Sequence, residues 1–144
     1  MICMEHNVWL SMIGVPFLKK GRDMSGWDCW GAVRFGLLNG FGVEVPSFTE
    51  DYTTSDDRES VSALITRESI DWPEVPLSEA QPGDVLILRV LGQPWHCGLV
   101  VEPPYFIHAG RSVGTVRTRW DSLLWEKRIL GVHRHPKLME LACR

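Results

Sequence analysis

Cys29 is the residue of this sequence whose setting most favours covalent chemistry. It stands in the stretch GWDCWGAVRFGLL, residues 26–38, where an acid precedes the cysteine and an apolar run follows it. Cysteine is nucleophilic as a thiolate, and the N–H groups and dipole of a helix N-terminus lower the pKa of a thiol placed there. Ser25 and Asp28 are candidate caps for such a helix, either singly or together as a capping box. A buried structural cysteine at the start of a core helix explains the same stretch equally well.

A nucleophilic cysteine needs a base, which is almost always histidine, and a third group that orients the base. His96 begins the predicted strand HCGLVVE, and His108 lies near the end of the next one, YFIHAG. The intervening EPPY turn predicts a hairpin that places both histidines on neighbouring strands. They share a face in only one register parity, which the sequence does not define. The other histidines are interpreted as surface or half-buried residues: His6, His133 and His135.

Cys97 follows His96 directly, and strand alternation points the two side chains to opposite faces of the sheet. Cys97 is therefore the weaker candidate for the nucleophile. A zinc site that combined Cys29 and Cys97 with the two histidines has suitable ligand types, but it lacks the usual close ligand pairs. The four cysteines form no CxxC pair, so no disulfide framework, metal or other cofactor is predicted.

The elements that must position these residues change character along the chain. MEHNVWLSMIG predicts a short helix that Gly14 ends, and a loop leads from it to the helix of Cys29, which ends by Gly42. Five runs rich in β-branched and aromatic residues come later, separated by turn signals: DVLILRV, HCGLVVE, YFIHAG, VGTVRTRW and RILGVHRH. We expect one α+β domain over residues 1–144, with N-terminal helices packed on roughly five to six antiparallel strands.

An acidic, proline-bounded stretch at about residues 45–81 is interpreted as an insertion between the helices and the sheet. It contains a predicted helix at residues 56–70, with apolar residues on one face. The formal net charge of −3 gives no reason to expect nucleic acid as a partner. With 44% hydrophobic and 23% charged residues, the composition is that of an ordinary globular domain.

The N-terminal stretch MICMEHNVWLSMIGVPFLKK does not have the pattern of a secretory signal. Glu5 and His6 interrupt it, and no small-residue cleavage site follows. No apolar run approaches the ~18 residues that a membrane span needs. We therefore expect a chain that is made in the cytoplasm and that reaches any target outside the cell through another carrier.

Six short motifs follow one another along the chain in this order: GVPF, GRD, GWDCWG, QPGDVLIL, WHCGLVV and FIHAG. Their order resembles the NlpC-type cell-wall peptidases, which are compact papain-like cysteine peptidases. The most specific piece is D-C-x-G at residues 28–31, followed by His96 and, twelve residues later, His108. The resemblance runs from about Gly14 to about His133. The short form, with GRD before the D-C-W-G motif, looks most like members found in phage tails.

The resemblance implies that Cys29 is the nucleophile, His96 the general base and then acid, and His108 the group that orients His96. It implies a substrate in the peptide stem of peptidoglycan, typically cut at the γ-D-glutamyl bond to the diamino acid through an acyl-enzyme. Nearby residues are expected to bind this substrate: Phe17, Arg22, Trp27, Asp28, Trp30 and Trp95. Core packing is the alternative for the tryptophans, and loop anchoring is the alternative for Arg22.

Phe17 departs from the family pattern, because many members carry a tyrosine at this place. A phenyl ring supplies no hydrogen bond, so either another donor serves or activity is reduced. Three functions stay open. The first is a wall-peptide hydrolase carried by a phage tail tip, with tail-tip proteins as partners, that opens the wall locally. The others are a structural tail or assembly protein with weak or no activity, and an acyltransferase or deamidase that uses the same cysteine and histidine.

Overall fold

The computed structural model describes residues 6–48, 72–90 and 93–140, without the side chains of residues 6, 7 and 93–95. Its elements are helices α1 (His6–Met12), α2 (Cys29–Phe41) and α3 (Pro136–Glu140), a 3₁₀ turn (Leu77–Glu79), and strands β1 (Arg22–Asp23), β2 (Gly26–Trp27), β3 (Glu74–Val75), β4 (Val85–Val90), β5 (Gln93–Val100), β6 (Tyr105–Gly110), β7 (Gly114–Arg119) and β8 (Ile129–His133). The helix predicted at residues 56–70 and most of the predicted insertion lie outside the described residues.

One antiparallel sheet of six strands organises the fold, in the order β3-β8-β4-β5-β6-β7. It confirms the predicted α+β class and the predicted antiparallel sheet. The hairpin expected at EPPY is present, since Leu99 of β5 pairs with Ile107 of β6. Residues 15–26, predicted as a plain loop, contain most of the short β1-β2 ribbon that leads into α2.

Apolar side chains pack on both faces of this sheet. The face toward α1 and α2 carries alternate residues of β5 and β6, including Cys97, Leu99 and Ile107. The opposite face carries Val100 and Phe106, together with apolar side chains of β4 and β8. A Cβ atom on Gly36 of α2 would lie 2.3 Å from Leu99 Cδ2, so the helix packs on β5 with no room for a side chain. This close packing determines how far the start of α2 lies from β5.

The QPGD motif also has a structural role at the start of β4. Asp84 is fully buried and pairs with Arg134, just after β8, at 2.8 Å. Because a buried charge is costly without a partner, this ion pair joins the beginning of β4 to the end of β8. Within the described part of the chain, no helix is both long enough and apolar enough to cross a membrane.

Candidate active site

The helix α2 begins at Cys29 because Asp28 caps it. The Asp28 carboxylate accepts a hydrogen bond from the Gly31 N–H at 2.9 Å, and its other contacts include Arg22 Nη1 at 2.8 Å. Ser25, the alternative cap, donates instead to Asp23, so the cap is Asp28 rather than the S-x-x-D box. The first N–H groups of a helix have no intrahelical partner, and they create a positive potential beside Cys29.

The short ribbon before α2 is packed tightly against the first helical turn. A Cβ atom on Gly31 would lie 2.4 Å from the Gly21 carbonyl oxygen, so glycine is required there by packing. Arg22 pairs with Trp27 across the ribbon, and Phe17 forms a bridge with the same tryptophan. The ribbon thus holds Phe17 on one side of the helix start.

The two histidines predicted from the sequence meet in the structure. His96 Nε2 lies 2.8 Å from His108 Nδ1, and His108 Nε2 lies 3.0 Å from Thr118 Oγ1 on β7. The pairing of Leu99 with Ile107 selects the register parity that puts both histidines on one face. Thr118 was not named from the sequence, because a lone threonine in a strand carries no signal of such a contact.

The hydrogen bonds of His108 determine the proton positions on both rings. Burial, with a smaller contribution from the nearby charge of His96, lowers the pKa of His108 to about 3, so this ring is neutral near pH 7. We assign its proton to Nε2, which donates to Thr118, so that Nδ1 accepts from His96 Nε2–H. This assignment leaves Nδ1 of His96 as the ring nitrogen that faces Cys29.

Cys29 has the electrostatic setting of a thiolate. A hydrogen bond from the Cys97 thiol is the largest cause that holds the pKa of Cys29 well below its usual range, and burial opposes it. Three further contributions lower the pKa of Cys29: a hydrogen bond from His96, the positive charge of His96, and a hydrogen bond from the backbone N–H of Cys97. In the same pair, the hydrogen bond to Cys29 and burial raise the pKa of Cys97. Cys29 therefore carries the negative charge, and Cys97 remains a neutral thiol.

The hairpin is open where the sulfur and the imidazole meet. The β5-β6 ladder consists of the pair Leu99–Ile107 and the pair Val100–Phe106, and in the described hairpin no further pair joins residues 96–98 to residues 108–110. Cys29 contacts His96 at this open end, although alternation puts His96 and Cys97 on opposite faces of β5.

Two aromatic rings hold the histidines in place. Trp125 stacks on His96 with ring centroids 5.9 Å apart and meets His108 edge-on at 5.2 Å. Phe106 also stacks on His108, with ring centroids 4.8 Å apart. Trp125 lies in the segment between β7 and β8, within the polar stretch DSLLWEKR, and no local pattern indicated that it belongs to the site.

A cavity of about 280 Å³ opens in front of these groups. Cys29, His96 and His108 all line it, together with mainly apolar residues that include Phe17 and Trp125. Arg111 also lines it, with its guanidinium 5.6 Å from the centroid of the Phe17 ring. A substrate carbonyl in this cavity would face the sulfur, the imidazole and the start of α2.

Four of the other residues predicted to bind substrate are framework residues in this structure. Trp27 is fully buried, and its Nε1 donates to Thr115 Oγ1 at 2.7 Å. Trp30 Nε1 donates to the Pro46 carbonyl oxygen at 2.8 Å. Asp28 and Arg22 hold the cap described above. Their contact with substrate stays a prediction, which this packing does not favour, and the side chain of Trp95 lies outside the described residues.

Comparison with known proteins agrees with the site. Residues 14–134 match the model of the NlpC/P60 family, so the chain belongs to this family. The chain is 27% identical over 115 residues to the murein DD-endopeptidase MepS/murein LD-carboxypeptidase of Escherichia coli strain K12, covering 80% of this chain and 53% of that protein. It is also 27% identical over 116 residues to the probable endopeptidase NlpC of the same strain, covering 79% of this chain and 65% of that one.

Solved structures show the same fold. The NlpC/p60 domain of the peptidoglycan hydrolase SagA superposes with a TM-score of 0.61 at 20% identity, covering 88% of this chain and 91% of that one. An NlpC/P60 family protein from Bacillus cereus ATCC 10987 superposes with a TM-score of 0.64 at 16% identity, covering 86% of this chain and 36% of that one. The chain spans about half of the length of the curated MepS relatives that it matches.

Proposed function

We propose that this chain is a cysteine endopeptidase that hydrolyses the stem peptides of peptidoglycan. The observation that carries the proposal is the continuous series of contacts from Cys29 through His96 to His108 at the wall of a cavity. Such a series activates a nucleophile, because each group orients or charges the next. Membership of the NlpC/P60 family supports the substrate class, since relatives are named as murein and peptidoglycan enzymes.

In the proposed reaction, the Cys29 thiolate attacks the carbonyl carbon of the scissile amide. The oxyanion that forms is stabilised by N–H groups at the start of α2. The His96 imidazolium gives its Nδ1 proton to the leaving nitrogen, the C–N bond breaks and a thioester remains. His96 then takes a proton from water, which attacks the thioester and releases the acid and the thiolate. His108 stays neutral and orients His96 throughout.

The proposed bond joins γ-D-glutamate to the diamino acid of the stem. MepS, in contrast, is named for a DD-endopeptidase and an LD-carboxypeptidase activity. The cavity in front of Cys29 is lined mainly by apolar groups, but Arg111 adds a positive charge at its edge. We propose that Arg111 binds a stem carboxylate and serves as the donor that Phe17 does not supply.

The direct experiment incubates the purified chain with L-Ala-γ-D-Glu-diamino acid peptide and, separately, with a stem dimer that contains a D,D cross-link. We expect the first peptide to be cleaved and the Cys29→Ala variant to be inactive. Cleavage of the dimer alone would reassign the bond, whereas cleavage that survives in Cys29→Ala would refute the mechanism.

In the same assay Arg111→Gln should raise KM. The matched control is Arg117→Gln, because the Arg117 guanidinium lies 4.1 Å from the centroid of the Tyr105 ring.

A second candidate is a structural tail or assembly protein with little activity. Phe17 favours it, because its ring lacks the hydroxyl that many family members carry at this place. Absence of cleavage of every wall peptide by a folded protein would support this candidate. Transfer of the acyl group to an added amine, or release of ammonia, would indicate instead the acyltransferase or deamidase chemistry of the same cysteine and histidine.

For the site of action, we propose delivery to the cell wall in a phage tail, with tail-tip proteins as partners. The order of the GRD and D-C-W-G motifs, which resembles that of family members found in phage tails, supports a carrier of this kind. Mass spectrometry of purified virions from a host that encodes the chain tests the proposal. We expect its peptides to copurify with tail proteins, and their absence from intact virions would contradict it.

A further inference from the structure

Cys97 is a second thiol at the site, and the proposed reaction gives it no bond to make or break. It is almost completely buried, on the face of β5 that packs against α2. Cys29 is also mostly buried but lines the cavity, from which a small solute can reach it. The two thiols therefore differ in access: one opens to the cavity, and the other lies behind it in the core.

The packing of α2 on β5 brings the two sulfur atoms together. Gly36 lies directly against Leu99. Cys29 precedes Gly36 by about two helical turns, and Cys97 precedes Leu99 on the same face of the strand. The side chains of Cys29 and Cys97 consequently meet and share a hydrogen bond. Both are free thiols in this structure.

We propose that Cys97 is a resolving thiol, which captures Cys29 after oxidation by a peroxide and forms a reversible Cys29–Cys97 disulfide. The disulfide removes the nucleophile from the cavity and switches hydrolysis off until a thiol reductant restores it. The formation of the disulfide is independent of the substrate, whereas the loss of hydrolysis rests on the proposed function.

The oxidation takes place in two balanced steps. The Cys29 thiolate attacks one peroxide oxygen, the O–O bond breaks, and hydrogen peroxide leaves a sulfenic acid on Cys29 and a hydroxide that becomes water. The Cys97 sulfur then attacks the Cys29 sulfur, the S–O bond breaks and the S–S bond forms. The Cys97 proton leaves with the hydroxyl group as a second water. Two thiols have then lost two electrons, which reduce one peroxide to two waters.

The charge relation between the two cysteines favours this order of events. While Cys29 is a thiolate, its charge and hydrogen bond keep Cys97 protonated and unreactive. Oxidation makes Cys29 neutral and so removes the largest cause that raises the pKa of Cys97, while burial continues to raise it. Without a neighbouring thiol, a sulfenic acid is oxidised further to a sulfinic acid, which ordinary thiol reductants do not reverse. Cys97 thus protects the nucleophile from permanent loss.

The experiment treats the full chain with a molar excess of hydrogen peroxide, because a sulfinic acid needs two peroxides per sulfur. It then blocks free thiols with iodoacetamide and maps the peptides by mass spectrometry. We expect a cross-linked pair of peptides that contains Cys29 and Cys97 and has lost two hydrogen atoms. Dithiothreitol should remove the cross-link and restore most of the activity. In Cys97→Ser, whose hydroxyl can donate the hydrogen bond to Cys29 but cannot form a disulfide, the same dose should give Cys29 sulfinic acid and a loss of activity that dithiothreitol does not reverse.

Several outcomes would overturn the proposal. These are oxidation of wild-type Cys29 without a cross-link, a cross-link to Cys3 or Cys143, and equal recovery of wild type and Cys97→Ser. Cys3→Ser is the control and should respond as the wild type does. If Cys97→Ser fails to fold, Cys97→Val replaces it, and the peptide map of the wild type decides the question by itself. Because the map needs no substrate, an inactive protein that forms the cross-link would contradict the proposed function alone.

Discussion

The two faces of the β5-β6 hairpin carry different kinds of residue. The face toward α2 presents Cys97, Leu99 and Ile107 to an apolar core. At its open end, the other face carries His96 and His108, in contact with each other and with Trp125. Side chains of a strand alternate with a period of two, so a slip of one residue would exchange the two sets. Hydrophobic packing on one face thus holds the polar groups of the other in register.

One nucleophile contacts residues from both faces of the hairpin. Cys29 meets Cys97 from the core side and His96 at the open end of the hairpin, where the ladder has stopped. A continuous ladder would place backbone between the sulfur and the imidazole. The site is therefore built at the edge of regular structure, which gives Cys29 both a buried thiol donor and a base.

His108→Ala should have the largest effect on the face that carries the histidines. It removes the acceptor of the His96 Nε2–H, so we expect kcat/KM for the stem peptide to fall by about 10²-fold or more. His108→Asn should recover part of the rate, because its Oδ1 stands where Nδ1 accepted. On the core face, Ile107→Val should cost about 0.5–1.5 kcal/mol of unfolding free energy and leave the rate unchanged. If His108→Ala and Ile107→Val lost the same amount of rate, the two faces of the hairpin would not differ in function.

Gly98→Ala tests how closely the rings are packed. A Cβ atom there would lie 2.5 Å from Phe106 Cδ2, and Phe106 stacks on His108. We expect a loss of about 1–3 kcal/mol in urea unfolding from overpacking, together with a lower kcat. Gly110→Ala is the matched control, since its Cβ would meet the exposed Val113 side chain at 3.1 Å and, in ordinary contact, the Gly114 carbonyl oxygen at 3.9 Å. A Gly98→Ala variant as stable as Gly110→Ala would show that Phe106 is free to move.

Acid should destabilise the protein through His108. Its pKa is about 3 in the folded chain, against an ordinary value of 6.5, so between these values the unfolded chain binds the extra proton. Stability from this group is full above pH 6.5 and falls as the pH drops toward 3, by at most ~1.4 kcal/mol per pH unit. Urea unfolding should show wild type losing about 2 kcal/mol more than His108→Asn from pH 7 to pH 5. Parallel losses would place the proton on another group.

Thr118→Val should have the smallest effect. The substitution removes the acceptor that holds the His108 proton on Nε2. We expect the activation free energy to rise by about 1 kcal/mol, which lowers kcat by about 5-fold. Thr118→Ser keeps the hydroxyl and should keep the rate. Thr115→Val, on the opposite face of β7, is the contrast: it breaks the bond to Trp27 and should reduce stability rather than turnover. If only Thr115→Val lost rate, the face of β7 that carries Thr115, rather than the face that carries Thr118, would support turnover.

Much of the site could be predicted from local patterns. The cap at Asp28, the helix that begins at Cys29 and the hairpin with one histidine on each strand all depend on neighbours in the sequence. The opposite orientations of His96 and Cys97 follow from strand alternation alone. Cys97 is predicted to point away from the site because it alternates with His96. In the structure it contacts Cys29, which α2 brings to the core side of β5.

By itself, the sequence determined the class of fold, the start of α2 and the residues available for chemistry, because caps, turns and alternation act over a few neighbouring residues. The tertiary structure decided the register that joins His96 to His108, the addition of Thr118 and Trp125, and the burial of Trp27 and Trp30 in the framework. It also decided that Cys97 touches the nucleophile. These contacts join residues that are not neighbours in the chain. Their geometry follows from the pairing of β5 with β6 and from the packing of α2 against β5, which no local pattern encodes.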